Sequence, residues 1–124
     1  MIGLDIFVPG NHEFDFGKAV FLERMSEAKF PLYAANLRDA SGAMLPAFKD
    51  RAIFDFNGVR IGLTGLAYEQ SPRVSSPGDL RFASSIDTTK AQAAALRAEG
   101  ADFVCAVLHC NRGDAIKLQY QRDA

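Results

Sequence analysis

Residues 4–17 read LDIFVPGNHEFDFG, an apolar run that changes abruptly into a cluster of polar side chains. The run from Leu4 to Val8 has the length of a buried strand and ends at Pro9-Gly10, a pair that interrupts regular structure. An amide, an imidazole and two carboxylates follow, between two glycines. Such side chains at the carboxyl end of a strand are typical of a functional site in an open α/β sheet.

A helix is predicted to follow this cluster, over residues 17–29. Phe21, Met25 and Ala28 fall on one stripe, as the apolar face of an amphipathic helix requires. Asp15 stands just ahead of the helix and is predicted to cap its start.

The middle of the chain predicts strands. Residues 32–37 form a strand candidate after Pro31, and residues 38–46 form a polar surface loop. Residues 49–66 contain the clearest hairpin, because two apolar stretches flank Asn57-Gly58. This dipeptide is favoured in a type I′ turn, where both positions take positive φ.

The second half predicts a loop, a helix and a strand. Residues 68–80 are rich in proline and serine and predict a long irregular loop. Residues 86–99 predict a helix that stops at Gly100 and is capped by Ser84, Ser85 or Asp87. Residues 102–109 are apolar at both alternations, so we expect a strand that is buried on both faces.

A short final helix is predicted over residues 114–122. The whole order of elements predicts an α/β fold, a layered mixed β-sheet with flanking helices. We expect one partial domain over residues 1–124.

Composition and charge exclude several function classes. The formal net charge is −1 and no lysine and arginine stripe is present, so we expect no nucleic-acid polymer as a partner. No apolar run approaches the ~20 residues of a membrane span, so we expect no membrane association. The N-terminus lacks the basic region and cleavage site of a signal peptide, and the compartment stays undetermined.

Both histidines of the chain lie at predicted strand ends, which is the strongest pointer to a site. Asn11 offers an amide oxygen that suits a divalent cation, and His109 is a fair imidazole ligand. His12 stands three residues before Asp15, a spacing at which the carboxylate can accept a hydrogen bond from the imidazole. That bond fixes the tautomer and raises the imidazole pKa, which suits a proton donor.

Less specific interpretations compete with this one. A lone His–Asp pair is more often a loop staple than a catalytic pair, and Glu13 is expected to be a supporting acid rather than a ligand. Asp114 is expected, from proximity in sequence alone, to hold the second nitrogen of His109. Cys105 and His109 lie roughly 13 Å apart along an extended strand, so they cannot share an ion, and Cys105 is expected in the core. Cys105 and Cys110 are likewise too far apart for a disulfide.

The block GNHEFDFG, residues 10–17, resembles the signature of 5′-nucleotidases and 2′,3′-cyclic-nucleotide phosphodiesterases, within the calcineurin-like metallophosphoesterases. The resemblance extends through FPLYAANL, IFDFNGVRIGLTGLA and GADFVCAVLHCNRGDAIKL, in the order and spacing of that family. It implies a central fragment of a phosphoesterase catalytic domain that acts on nucleotides or other phosphate mono- or diesters.

The resemblance also implies roles for four residues. His12 would be the catalytic histidine that contacts the phosphoryl group or the leaving oxygen, and Asp15 would orient it. Asn11 and His109 would be ligands of one ion in a pair of divalent metal ions. Zinc, manganese, magnesium and iron all suit these ligand types.

The ligand set of this chain departs from the family pattern. In the family, an Asp-x-His block and a Gly-Asp block precede the region matched here, and a Gly-His-x-His block follows it. Two ions with about four to six ligands each need several histidines and carboxylates. The chain has two histidines. We therefore expect an incomplete metal site and no activity from the chain alone.

Two other functions stay open. The chain could be a non-catalytic binding or assembly module that kept the scaffold. A fold without its first strands exposes a sheet edge, so self-association through that edge is expected. The chain could also be a mononuclear metal hydrolase, if Asn11, His109 and a carboxylate such as Asp15 or Asp114 met on one ion.

Overall fold

A three-stranded sheet with short strand pairs beside it organises the computed structural model, which describes residues 3–119. The strands are β1 (Leu32–Tyr33), β2 (Leu37–Arg38), β3 (Phe48–Lys49), β4 (Arg51–Phe56), β5 (Val59–Leu66), β6 (Arg81–Phe82) and β7 (Phe103–Leu108). The helices are a 3₁₀ turn (Asn11–Phe14), α1 (Lys18–Glu27), α2 (Ser71–Val74), α3 (Ser85–Ala98) and α4 (Arg112–Gln119). None of these helices is long and apolar enough to cross a membrane.

The main sheet has the strand order β4-β5-β7. β4 and β5 pair antiparallel as a hairpin, and β5 and β7 pair parallel, so the sheet is mixed as predicted. Asn57 and Gly58 in the hairpin turn have φ of 54° and 90°, the positive values that a type I′ turn requires. Because β5 and β7 are parallel, their carboxyl ends lie together, with Leu66 opposite Leu108.

Helix α3 covers one face of this sheet. Ser84 caps its start by accepting a hydrogen bond from the Asp87 N–H at 3.2 Å, and Gly100 ends it with φ of 96°, both as predicted. Leu96 is fully buried against Gly62 of β5. A Cβ atom on that glycine would lie 3.0 Å from Leu96 Cδ2, so the close packing of the helix favours a residue without a side chain.

The opposite face of β7 is exposed, so the prediction that both faces are buried is wrong. Phe103 is 65% exposed, and Cys105 and Val107 on the same face are also exposed. The reason is that α3 packs on the other face, so the side chains on this face stay in contact with solvent. In the described part of the chain, no strand pairs with the outer edge of β7. Cys105 is therefore a surface thiol and not a core residue. Both cysteines are free, as expected. Self-association through this edge stays a prediction.

The first apolar segment is not the regular buried strand that was predicted. Only Phe7 pairs, through a parallel bridge to β1, and the residues at the start of the segment are exposed. Pairing goes no further because β1 is two residues long. The chain leaves the direction of β1 at the buried Asn36. The side-chain amide of Asn36 donates to the Ala67 carbonyl and accepts from the Ala67 N–H, each at 2.8 Å. The strand predicted over residues 32–37 is consequently split into β1 and β2.

An aromatic core lies between α1 and the short strands. Phe14 is fully buried, with its ring centroid 4.4 Å from that of Phe21 in α1 and 5.4 Å from that of Phe82 in β6. Met25 packs against the same cluster, as the apolar stripe predicted for α1 requires. The helix is shorter than the predicted range 17–29, because it ends at Glu27, and Ala28 packs on the cluster from an extended position just beyond it.

Two further predicted segments differ from the structure. The loop over residues 68–80 contains the short helix α2, which has a proline in its first turn. The helix predicted over residues 114–122 begins earlier, at Arg112, and the part of that prediction beyond Gln119 lies outside the described residues.

Candidate functional site

The polar block forms a 3₁₀ turn with one side in the core and the other in solvent. Phe14 anchors the turn among the buried aromatic rings, while the side chain of His12 is 81% exposed. Glu13 fixes the start of the turn, because its carboxylate accepts a hydrogen bond from the Gly10 N–H at 2.5 Å. The local sequence thus holds the polar side chains outward on a buried support.

His12 and Asp15 lie above one another on this turn. Residues three apart eclipse in 3₁₀ geometry, and the His12 Nδ1 atom lies 2.7 Å from Asp15 Oδ2. The hydrogen bond expected from the spacing is therefore present. Since Nδ1 faces the carboxylate, Nε2 is the ring nitrogen that takes no part in this bond.

The pairing perturbs both titrating groups. The hydrogen bond to Asp15 and then the charge of that carboxylate raise the pKa of His12 above its ordinary value. Hydrogen bonds from Ser75 and then from His12 lower the pKa of Asp15. Both side chains are exposed, so solvent screens these effects, but each shift favours an imidazolium beside a carboxylate.

We expect the Asp15→Asn variant to lower the pKa of His12. In the wild-type chain, the imidazolium–carboxylate attraction is fully present below the ordinary histidine pKa and is lost as the pH rises through the raised value. An NMR titration of the His12 ring protons in metal-free protein measures both variants, with the exposed Asp5→Asn as a charge-matched control. An unchanged His12 pKa in Asp15→Asn would contradict the pairing.

Asp15 does not cap α1, which corrects the prediction from its position. The residue at the helix start is Gly17, with φ of 92°, and no side chain caps the first turn. The two oxygens of Asp15 bind elsewhere, one to His12 and the other to Ser75, whose hydroxyl donates at 2.6 Å. Nothing in the sequence singles out Ser75, which lies 60 residues further along the chain.

His109 lies against the start of the same turn. Its imidazole packs so closely on Gly10 that a Cβ atom there would come within 2.7 Å of Nδ1 and Cε1. Tyr68 contacts the ring edge-on, with centroids 5.5 Å apart. The backbone N–H of His109 donates to the carbonyl of Leu66, at the end of β5, at 3.1 Å. The polar residues that follow the first apolar segment and those that follow β7 therefore meet, and His109 lies beside the residue that precedes Asn11.

Asn11 and His109 suit part of a metal coordination shell. Asn11 is half-buried at the start of the turn, one residue from the Gly10–His109 contact. An amide oxygen and an imidazole are both donors that divalent metals accept. Within residues 3–119, no three His, Cys, Asp or Glu side chains come together so that they could hold an ion. The roles of Asn11 and His109 as metal ligands therefore stay a prediction.

Asp114 does not hold His109, and that prediction is wrong. Its carboxylate accepts a hydrogen bond from the Asn111 amide at 2.7 Å, and its N–H donates to the Asn111 side-chain oxygen at 3.0 Å. These bonds form because the chain turns into α4 directly after the β7 end, and they keep Asp114 at the helix start.

Comparison with known proteins finds relatives over most of the chain. No protein-family model matches it. The chain is 34% identical over 113 residues to a 5′-nucleotidase of Vibrio cholerae and 31% identical over 113 residues to a 5′-nucleotidase of Diplobatis ommata. An NAD 5′-nucleotidase of Haemophilus influenzae is 30% identical over 115 residues. These alignments cover 87% to 90% of the chain but only 19% to 20% of each relative, so the chain spans about a fifth of their length.

Solved structures share the fold over the same region. The NAD nucleotidase of Haemophilus influenzae matches with a TM-score of 0.81 at 31% identity, over 91% of this chain and 20% of that one. A calcineurin-like phosphoesterase of Bacillus subtilis matches with a TM-score of 0.66 at 26% identity, over 85% of this chain and 34% of that one. In each case the matched region is a fraction of a longer chain.

Proposed function

Because this chain is a partial calcineurin-like phosphoesterase domain of the 5′-nucleotidase family, we propose that it supplies one part of a metal-dependent centre that hydrolyses nucleotide phosphate esters. The single observation that supports this most is the 2.7 Å contact between His12 and Asp15, on the turn whose start lies against the His109 imidazole at Gly10. A catalytic His–Asp pair and a pair that only holds a loop in place share this bond. Only the catalytic pair needs the imidazole to be exposed.

His12 acts as the proton donor in this proposal. Its Nδ1 atom is tied to Asp15, and its exposed ring directs Nε2 toward an incoming ester. Protonation of the leaving oxygen makes the phosphorus–oxygen bond easier to break. Asp15 keeps the ring in one orientation and stabilises the imidazolium that carries the proton.

Asn11 and His109 are the residues that would hold a divalent metal ion. A bound pair of divalent ions would supply Lewis-acid chemistry there, lowering the pKa of an attacking water and neutralising charge on the phosphate oxygens. The amide and imidazole donors do not choose between zinc, manganese, magnesium and iron.

The chain by itself is proposed to be inactive. The full sequence has two histidines, and one of them is assigned to proton transfer. Asn11 and His109 leave most positions around two ions unfilled. The remaining ligands would have to come from polypeptide outside the matched region. The matched region is about a fifth of the length of the relatives.

The substrate class follows from the relatives and is proposed at that level only. Several of them are named as nucleotidases, and one as an NAD 5′-nucleotidase. The shared chemistry is a phosphate ester on a nucleoside.

A chimera tests the proposal directly. The aligned part of this chain, which is 87% of it, would replace the matched region of the Vibrio cholerae 5′-nucleotidase. We expect the chimera to release phosphate from AMP when Mn²⁺ or Zn²⁺ is added, because this chain supplies its proposed part of the centre. A folded chimera that binds metal but releases no phosphate would contradict the proposal. The chimera with His12→Ala gives the background rate.

A further inference from the structure

We propose that Ser75 is a positioning residue for the His12–Asp15 pair, holding the Asp15 carboxylate so that its other oxygen meets the imidazole. The inference rests on the proposed function, because a loop staple would not need an oriented carboxylate.

The geometry divides the two oxygens of Asp15 between two partners. Ser75 Oγ donates to Oδ1 at 2.6 Å, and His12 Nδ1 lies 2.7 Å from Oδ2. The Asp15 side chain is 40% exposed, so packing alone does not stop the carboxylate from rotating. With a donor on each oxygen, the plane of the carboxylate is fixed and the imidazole has one preferred orientation.

Ser75 is itself held in place by the fold. It follows α2, and its N–H donates to the Ser71 carbonyl at 2.9 Å. Ser71 is fully buried, and its hydroxyl donates to the Tyr68 carbonyl at 2.6 Å. The backbone at Ser75 is extended, with φ of −148°, and it directs the hydroxyl onto the 3₁₀ turn.

A second tether holds the same segment from its other side. Asp79 pairs with Lys18 of α1 at 2.5 Å, and Gly78 lies against the Lys18 stem. The segment from Ser75 to Asp79 is therefore attached both to the proposed catalytic pair and to the helix that follows it. The charged groups that act on the pair are the two members themselves and Glu13, whose charge reaches His12.

The hydrogen bond also favours the ionised carboxylate. The Ser75 hydroxyl is the largest influence that lowers the pKa of Asp15. An ionised and oriented Asp15 keeps accepting from His12 Nδ1, so that Nε2 stays directed outward as the proton donor. Ser75 acts through Asp15 and does not touch the reacting atoms.

An NMR titration of the Asp15 side-chain carboxyl carbon in this chain tests the proposal, and it needs no turnover. We expect Ser75→Ala to shift the Asp15 pKa upward and Ser75→Thr to retain the wild-type value, because threonine keeps the hydroxyl. Ser76→Ala is the matched control, since Ser76 is the exposed neighbour, and its Asp15 pKa should not change. Amide spectra of each variant report whether the fold is intact.

A second pair of variants separates the hydroxyl from the side-chain volume. Ser75→Val and Ser75→Thr have nearly the same shape, and an extended backbone accepts both. We expect an upward shift of the Asp15 pKa in the valine variant only. An unchanged Asp15 pKa in folded Ser75→Ala or Ser75→Val would overturn the inference, and so would a threonine variant that behaves like valine. An inactive chimera alongside the expected NMR shifts would count against the proposed function alone.

Discussion

His12→Ala is expected to lower kcat for AMP hydrolysis by the chimera by about 10²- to 10⁴-fold, the usual contribution of a positioned general acid or base. KM should change much less, because the substrate phosphate is proposed to be held mainly by the metal site. The His12 side chain is 81% exposed, so the variant should fold normally. Initial rates of phosphate release at saturating AMP measure the effect.

His109→Ala provides the contrast for this prediction. His109 is proposed as a metal ligand, so the activity lost in that variant should be restored in part by a higher metal concentration. The activity lost in His12→Ala should not be restored in this way. If kcat of the His12→Ala chimera stays within a few-fold of the value for the wild-type chimera, the result would contradict the proposed role of His12 as proton donor.

Phe14→Ala is expected to destabilise the chain by about 3 to 5 kcal/mol, as large aromatic truncations in a core do. Phe14 is fully buried, and its ring contacts those of Phe21 and Phe82, so the variant leaves a cavity beneath the polar turn. That cost approaches the whole stability of a small domain. Urea unfolding, followed by circular dichroism, measures the free energy of unfolding.

Phe16→Ala is the matched control for Phe14→Ala. Phe16 stands two residues later, and it is 83% exposed. Its removal should change the free energy of unfolding by no more than about 0.5 kcal/mol. Similar losses in the two variants would mean that the turn is not anchored through Phe14.

Local patterns in the sequence predict the elements that local interactions determine. The hairpin forms around Asn57-Gly58 because that dipeptide accepts positive φ at both positions. Helix α3 is capped by Ser84 just before its first residue, and Gly100 with its positive φ stops the chain from continuing as a helix, as both residue types predict. The His12–Asp15 contact belongs to the same class, since the two residues are three positions apart on one turn.

Contacts between distant parts of the chain decide the features that the sequence does not reveal. The hydrophobic pattern of β7 shows which side chains are apolar, but not that α3 covers one face and leaves Phe103 exposed. The position of Asp15 in the sequence predicts a helix cap, but in the structure the hydroxyl of Ser75, 60 residues away, donates to one of its oxygens. Asp114 is close to His109 in sequence, yet at the turn into α4 its carboxylate accepts a hydrogen bond from the Asn111 amide.

The site itself is predicted only in part for a related reason. Strand ends with histidines point to one edge of the sheet, and the structure brings His109 against Gly10 there. Which ligands complete a metal site depends on residues that must meet in space. Within residues 3–119 the His, Cys, Asp and Glu side chains do not assemble a set of three.

The most direct test of the central claim is phosphate release from AMP, measured side by side for this chain alone and for the chimera, with Mn²⁺ and then Zn²⁺. The claim is that the chain holds the proton donor and part of the metal site, and that other polypeptide completes the centre. We therefore predict release by the chimera and none by the chain above the rate of its own His12→Ala variant. Release by the chain alone that disappears in His12→Ala would contradict the claim, because these 124 residues would then build a working site by themselves.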